Sequence, residues 1–453
     1  MRFAIIFSLV LLSSAYAQAA SPLKWLAFGD LRGHLEPCGC DPSTDLGGMN
    51  RLESVIRREV LKHDSQVRVF HLGNAYSLSP SEVAKAKNLA ISSGLSLLNI
   101  DVSLLNKSEL LAGAEMLPSI RYVLSNHNSK KTTVQAYKSV VVLDDAVVYG
   151  FVEPFKGYSG LEYFSSSYWQ NKKKNDQIFK QARRSVLLYS GTSATLVKIA
   201  KARVFDEIIA SNIYPFDKEF DDFERQNPAL LDLKSPNARI RQVPLGGQGI
   251  LRSPSLFDIP PAKPLALIVQ GKTHEWTREP TALLKQGYEV VWLSKEEDTG
   301  SSESMADSFK KYRASTSSRM NELVITRSKD LETSQYVGSK SCESCHSKAF
   351  QVWSQSKHAS AFMTIEKVSR TTDPECVSCH VVGFADKGGF VSKEVSPHLA
   401  DVHCESCHGP RKEHLANPTA KVPFDSKKSC EACHTAPHSP KFNYDVYWKS
   451  IAH

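Results

Sequence analysis

The sequence predicts a two-part molecule: an α/β fold of layered sandwich type in the longer amino-terminal part, and a separate carboxy-terminal part organised around cysteine and histidine. Between residues 22 and 330, short apolar strand-like runs alternate with stretches whose apolar residues fall at helical spacing. After Tyr336 the composition changes, because eight of the ten Cys and ten of the fifteen His lie there. A length of 453 residues with 41% hydrophobic and 23% charged residues fits two or three globular domains, and excludes a mainly disordered chain or a multispan membrane protein. The net charge of +8 is too dilute over this length to argue for nucleic-acid binding.

The chain opens with Met1-Arg2, an apolar run from Phe3 to Leu12, and small residues around Ala15-Tyr16-Ala17-Gln18-Ala19. This pattern predicts a secretory signal peptide over 1–19, cleaved after Ala17 or Ala19, since the apolar run is too short to span a bilayer. No Cys follows the run and no later segment is long and apolar, so the mature chain is expected to be periplasmic and soluble, without a transmembrane segment.

The next elements set out the α/β part, expected over 20–295. Leu23 to Phe28 reads as a strand ending in Gly29-Asp30, and Gln66 to Leu72 as a second ending in Gly73-Asn74. Met49 to Leu61 lies between them, with Met49, Leu52, Val55, Ile56 and Val60 at helical spacing. Ser139 to Val148 reads as a further strand. Lys172-Lys173-Lys174 reads as a solvated surface loop with no interleaved aromatics of the kind a nucleic-acid groove would need. A polar stretch from Lys295 and a predicted helix from Ser304 to Lys329 form a linker over 296–335.

These loops, read in order, resemble the 5′-nucleotidase branch of the calcineurin-like metallophosphoesterases. The likeness rests on Gly29-Asp30-Leu31-Arg32-Gly33-His34-Leu35-Glu36-Pro37-Cys38-Gly39-Cys40 followed by Gly47-Gly48 and Arg51-Leu52, and on Val243 to Gly249 further along. The resemblance implies a layered sandwich with a two-metal site whose ligands come from successive loops. Most of those ligands are replaced. Arg32 stands where the family has His, Asn74 where it has the bridging Asp, and Lys107 where it has the catalytic His of Gly-Asn-His-Glu. Tyr189-Ser190-Gly191 lacks the expected His, and Ser211-Asn212-Ile213-Tyr214 replaces Gly-His-x-His. Asp30 and Asn106 remain. The expectation is a retained scaffold with a dead metal site, since losing most ligands removes both the activated water and the charge clamp. Direct anion binding by Arg32 and Lys107 is a further reading. Cys38 and Cys40 could be free thiols, metal-touching thiols or part of a bland loop. His34 and His71 read as structural.

The carboxy-terminal part, 336–453, uses one motif four times: Cys342-Glu-Ser-Cys345-His346, Cys376-Val-Ser-Cys379-His380, Cys404-Glu-Ser-Cys407-His408 and Cys430-Glu-Ala-Cys433-His434. Two thiols separated by two residues can add to the two vinyl groups of one haem, while the adjacent His supplies the proximal nitrogen to iron. Zinc would give no reason for a His after every second Cys, and adjacent Cys-x-x-Cys pairs make poor disulfide staples. The motifs therefore predict four covalently bound haem c groups, consistent with export.

Candidate distal ligands are His358, His414, His438 and His453, with His398 and His403 less favoured. Bis-His iron suits electron transfer, whereas an iron with one protein ligand could bind a small molecule. So many haems leave little room for an ordinary core, so the porphyrins are expected to be the core, packed by Phe350, Trp353, Phe362, Phe384, Phe390, Phe442, Tyr444 and Trp448.

Several runs resemble the tetrahaem cytochromes typified by the electron carrier of nitrifiers' hydroxylamine oxidation: Tyr336-Val337-Gly338-Ser339, Trp353 with His358-Ala359-x-Ala361-Phe362, Cys407-His408-Gly409-Pro410 with His414, and Ser439-Pro440-x-Phe442 with Trp448 and Ala452-His453. The resemblance implies a mostly helical, haem-packed domain that carries electrons, with most irons bis-His and one able to be five-coordinate. His398 and His403 depart from the pattern.

The combined expectation is an exported tetrahaem carrier passing electrons between a protein donor and acceptor, with no nucleic-acid partner and more an electron carrier than a hydrolase. The alternatives are a periplasmic nucleotidase or phosphohydrolase with an attached cytochrome, and a redox enzyme acting on a small nitrogen compound at an open haem. Residues 336–453 carry a net +2 and the rest of the chain +6, so haem propionates would make the cytochrome part neutral to acidic beside a basic neighbour.

Overall fold

The computed structural model describes residues 23–37, 47–63, 67–79, 82–128, 137–214, 240–243, 249–253, 289–293, 295–384, 386–419, 424–434, 439 and 442–453. The signal-peptide reading, Cys38, Cys40, Pro244 to Gln248 and His438 fall outside the described residues.

Two sheets form the amino-terminal part. In the first, β1 (Trp25–Phe28), β2 (Arg68–His71), β3 (Val102–Leu104), β4 (Tyr122–Val123) and β5 (Tyr137–Lys138) run parallel, and β11 (Gly249–Arg252) and β12 (Glu289–Trp292) extend it antiparallel beyond β1. In the second, β7 (Val147–Val152), β8 (Ser185–Thr192), β9 (Glu207–Tyr214) and β10 (Ile240–Gln242) run parallel, with β6 (Val141–Val142) antiparallel at the edge. The strand expected over Ser139 to Val148 is therefore two strands. Asp144 and Asp145 reverse the chain, and Leu143 donates its N–H to the Ala146 carbonyl at 2.8 Å.

Alternation along each strand builds the layers. In β1, Trp25 and Ala27 enter the core between the sheets, while Leu26 and Phe28 face the helices outside. In β7, Val148 and Val152 point between the sheets, whereas Val147, Tyr149 and Phe151 face the opposite outer layer. Gly150 sits where the sheets approach closest, since a Cβ there would lie 2.7 Å from the Val123 carbonyl oxygen. The outer layers are α1 (Met49–Lys62), α2 (Glu82–Ser96) and the early part of α7 (Glu303–Arg327) on one side, and α4 (Ser166–Asn175), α5 (Gln177–Gln181) and α6 (Ser193–Lys201) on the other, with α3 (Lys107–Ala112) at the strand ends. This is the layered α/β sandwich that the strand and helix pattern predicts. The lysine run lies on α4 rather than in a loop: Lys172 pairs with Asp176 at 2.9 Å and Lys173 donates to the Val204 carbonyl at 2.6 Å.

Helix α7 belongs to both halves. Met305, Phe309 and Tyr312 complete the core over α1 and α2, and Met320, further along the same helix, joins the core of the carboxy-terminal part. That part is helical: α8 (Ser347–Ser354), α9 (Ala361–Lys367), α10 (Pro374–His380), α11 (Cys404–His408), α12 (Lys412–Ala416), α13 (Ser426–Glu431) and α14 (Tyr444–Trp448), with short 3-10 turns between them. Contrary to the expectation of a core made by porphyrins alone, Phe362, Ile365, Val377, Val381, Val382, Phe390 and Leu399 form a side-chain core with Met320. Met320 apart, the buried members of that core among the described residues fall within 362–399, so the first, third and fourth motifs lie outside it. None of the helices, among the described residues, is long and apolar enough to cross a membrane.

His71 closes β2 deep in the first sheet, tilted against Phe28 at 4.9 Å, with Nδ1 2.8 Å from the Ser103 hydroxyl and Nε2 unpaired. Burial pulls its imidazole down from 6.5 to about 3, so the folded chain keeps it neutral while the unfolded chain protonates. The stability due to the neutral form is complete above 6.5 and is lost as pH falls from 6.5 toward about 3. Urea midpoints at pH 7 and pH 4 should differ less in His71→Phe than in the native protein, and an equal drop in both would refute this role.

Candidate functional site

The candidate site of the layered part lies at the carboxyl ends of the parallel strands, where the loops after β1, β2 and β3 converge. Backbone bonds lay the first two loops side by side: Asp30 N to Gly73 O at 2.8 Å, Arg32 N to Asn74 O at 3.0 Å, and Gly33 N to Ala75 O at 2.8 Å. Asp30, Arg32 and Asn74 all adopt left-handed φ values (59°, 49° and 57°), which non-glycine residues hold only when their surroundings impose it.

The replaced ligands are wired to one another. Asp30 is fully buried, one carboxylate oxygen accepting from Asn74 Nδ2 at 2.6 Å and the other lying 2.9 Å from Arg32 Nε. The guanidinium thus offsets the charge of the buried carboxylate, and the amide donates to it. Asn106 donates to the Leu72 carbonyl at 3.0 Å and caps α3 by accepting from Lys107 N at 2.7 Å. Lys107 Nζ lies over the Phe155 ring at 5.6 Å. The Ser211 hydroxyl also reaches the Leu72 carbonyl, at 3.4 Å.

Glu109, which the motif comparison passes over, fixes the second loop. Its buried carboxylate accepts from Asn74 N and Ala75 N, each at 2.8 Å, and from the Ser108 hydroxyl at 3.1 Å. Burial nevertheless raises its pKa above the ordinary carboxylate value. Among the described residues, no group of three or more His, Cys, Asp or Glu is arranged to hold a metal ion.

The cysteine motifs form a connected row. Cys342 of the first motif hydrogen-bonds Cys404 of the third, which raises the Cys342 thiol and lowers the Cys404 thiol. Cys433 of the fourth motif hydrogen-bonds Cys379 of the second, and Ser429 beside the fourth motif donates to the Cys407 carbonyl at 3.2 Å. The motifs therefore adjoin in the order first, third, fourth, second. Among the described residues none of these eight cysteines is joined to another in a disulfide.

Three of the motif histidines face a second imidazole. His346 and His414 have ring centroids 6.2 Å apart, His434 and His358 6.1 Å, and His408 and His453 6.0 Å. A metal held about 2 Å from one nitrogen of each ring would separate centroids by about 6 Å. Second-shell contacts also fit metal ligation. Nδ1 of His380 donates to the Ala361 carbonyl at 2.7 Å and Nδ1 of His453 to the Ile451 carbonyl at 2.9 Å, which leaves Nε2 unprotonated in each neutral ring. His434 Nδ1 meets the Ser439 hydroxyl at 3.0 Å, and His414 Nδ1 is buried with no hydrogen-bond partner. Burial lowers the pKa of His358, His408 and His434, favouring the neutral rings that metals bind. Among the described residues, no such pair forms at His380.

His398 and His403 play another part. His403 is buried, its Nε2 3.1 Å from the His398 carbonyl and its ring edge-on to Trp353 at 6.3 Å, and burial pulls it down to about 4. Trp353 in turn donates to the Val402 carbonyl at 2.8 Å. Glu405, inside the third motif, is the main brace that the sequence did not flag. Its buried carboxylate accepts from Val337 N, Gly338 N at 2.8 Å and Arg411 N at 2.9 Å, tying the run before the first motif to the third. The donor set, the imidazole spacing and the orphaned ring nitrogen fit covalent haem with axial histidines.

Residues 341–409 match the family model described as cytochrome c554 and c-prime. Cytochrome c-554 of Nitrosomonas europaea is 33% identical over 134 residues, covering 22% of this chain and 57% of its own length, so the chain spans little more than half of that relative. The amino-terminal part is similar in fold to a 5′-nucleotidase precursor from Thermus thermophilus (13% identity, 65% of this chain and 59% of that one, TM-score 0.45) and to the sulfate thiohydrolase SoxB of the same organism (12%, 64% and 60%, TM-score 0.44). The chain thus joins a layered α/β part to a helical carboxy-terminal part that is similar, over residues 341–409, to cytochrome c554.

Proposed function

We propose that the protein is an exported tetrahaem electron carrier whose phosphoesterase-like domain is catalytically inactive. The observation that carries this reading is the set of facing imidazole pairs, each joining a motif histidine to one far away in the sequence. Haem c, when bound, supplies one-electron chemistry at iron. In this assignment Cys342 and Cys345, Cys376 and Cys379, Cys404 and Cys407, and Cys430 and Cys433 hold the four haems, with His346, His380, His408 and His434 proximal. His414, His453 and His358 are the distal ligands of the first, third and fourth sites. Contacts between neighbouring motifs support transfer along the row from first to third to fourth to second, between a protein donor and a protein acceptor.

The inactive reading of the other domain rests on Asp30, whose two oxygens are taken by Arg32 and Asn74. The opening residues support export to the periplasm with cleavage after Ala17 or Ala19. We take 336–453 as the cytochrome unit and 20–295 with the start of α7 as the layered unit.

Pyridine-haemochrome analysis of the periplasmic protein should count four haems. His414→Met and His453→Met should each alter one low-spin paramagnetic resonance signal and leave the others in place. Fewer haems, or substitutions that alter no signal, would reject the assignment. Nucleotide and phosphodiester hydrolysis with added Mn²⁺ should not exceed the blank, whereas Mn²⁺-dependent turnover abolished by Asp30→Ala would restore the hydrolase reading.

One observation favours a second role at one site. Among the described residues, His380 lacks the facing imidazole that the other motif histidines have, which supports an open iron able to bind a small nitrogen compound. A high-spin signal perturbed by nitric oxide or cyanide is expected, and wholly low-spin iron would dismiss this role.

A further inference from the structure

The loop after β1 does more than carry Asp30 and Arg32. Six residues beyond Asp30 it presents Glu36, whose side chain is only 8% exposed although it is charged. One carboxylate oxygen pairs with Arg313 of α7 and the other lies 2.9 Å from Arg370 of the cytochrome domain. Arg370 is itself 17% exposed, and reaches Asp373 at 3.1 Å. The Asp373 carbonyl accepts from Cys376 N at 3.0 Å and Val377 N at 2.9 Å, capping the helix that carries the second motif. The Cys376 sulfur lies within electrostatic range of the Arg370 guanidinium. Neighbouring contacts keep the two domains in register there: Ser317 on α7 meets Thr372 at 3.3 Å, and Arg327 donates to the Phe384 and Asp386 carbonyls.

A guanidinium this close to the second attachment site, and this shielded from water, imposes a field on whatever is bound there. Adding an electron to iron is easier near uncompensated positive charge and harder near negative charge. Of the two carboxylates that offset the Arg370 charge, Asp373 is local and Glu36 comes from the other domain.

We propose that Glu36 of the phosphoesterase-like domain is a counter-charge of Arg370, and that through this interdomain pair it sets the reduction potential of the second haem site. The first loop of the old hydrolase architecture thereby acts as an electrostatic clamp on the cytochrome. Glu36 and Arg370 are positioning residues in this scheme and touch no reacting atom. The inference rests on the haem assignment above.

The test is a potentiometric titration of the full-length holoprotein, followed by visible and paramagnetic resonance spectroscopy. Glu36→Gln removes one of the two carboxylates on Arg370, leaving Asp373, and should raise one of the four midpoints by about tenfold in the one-electron equilibrium, or about 59 mV. Arg370→Gln should lower the same midpoint, and Arg370→Lys, which keeps the charge, should leave it near the native value. The other three midpoints should stay in place in every variant. Unmoved midpoints in both charge-removing variants would overturn the proposal, as would shifts of the same sign in both, which loosened packing alone would cause. Absence of covalent haem from the native protein would instead end the reading on which the inference rests. Four haems with unresponsive potentials would end the inference alone.

Discussion

In the carboxy-terminal part, a single buried carboxylate fastens the run before the first motif to the third. Glu405 gathers the backbone N–H groups of Val337, Gly338 and Arg411, three donors separated by some seventy positions in the chain. A buried charge is tolerable only when several donors satisfy it, and these donors have no other strand or helix to bond to. The consequence is geometric. With the run before the first motif fastened to the third, Cys342 meets Cys404, and α12 brings His414 opposite His346. An apolar core could not have done this, since the side-chain core of the domain stops at 362–399. Polar braces stand in for it: Asp401 accepts from Phe362 N at 2.8 Å, and Trp353 ties α8 to Val402.

The layered half shows the opposite balance. Its cores are extensive and its strands regular, so the layers hold without help from the polar loops at the strand ends. Asp30 would be an uncompensated buried charge if the metal ligands were simply deleted, which is strongly destabilising. Replacement by Arg32 and Asn74 avoids that penalty, because each new side chain bonds the residual carboxylate.

Much of this was legible in the sequence, for identifiable reasons. The four Cys-x-x-Cys-His motifs are patterns of five consecutive residues, so spacing alone reveals them. Trp25 to Phe28 and α1 were legible because period two and period 3.6 are local signals. The reversal at Asp144 and Asp145 was missed because apolar residues flank it on both sides. The pairing of His358 with His434, and of His453 with His408, depends on tertiary contacts that no spacing encodes. Glu405 and Glu109 were hidden for another reason. A glutamate in a polar segment looks solvated, and only the structure shows backbone N–H groups converging on it.

The position of α7 decides how the two halves can influence one another. A flexible tether would let each domain tumble, and charge on one would be screened from the other over about 8–10 Å of salt solution. Here a single helix is packed into both cores, with Phe309 in one and Met320 in the other, so its length fixes their separation. That rigidity is what lets Glu36 stay buried against Arg370 instead of swinging into water. It also gives the row of motifs two different ends. The second motif lies against the layered domain through Arg370, and the first lies at the other end of the row. On the proposed assignment, the layered domain therefore tunes one end of the row and leaves the other to its own surroundings.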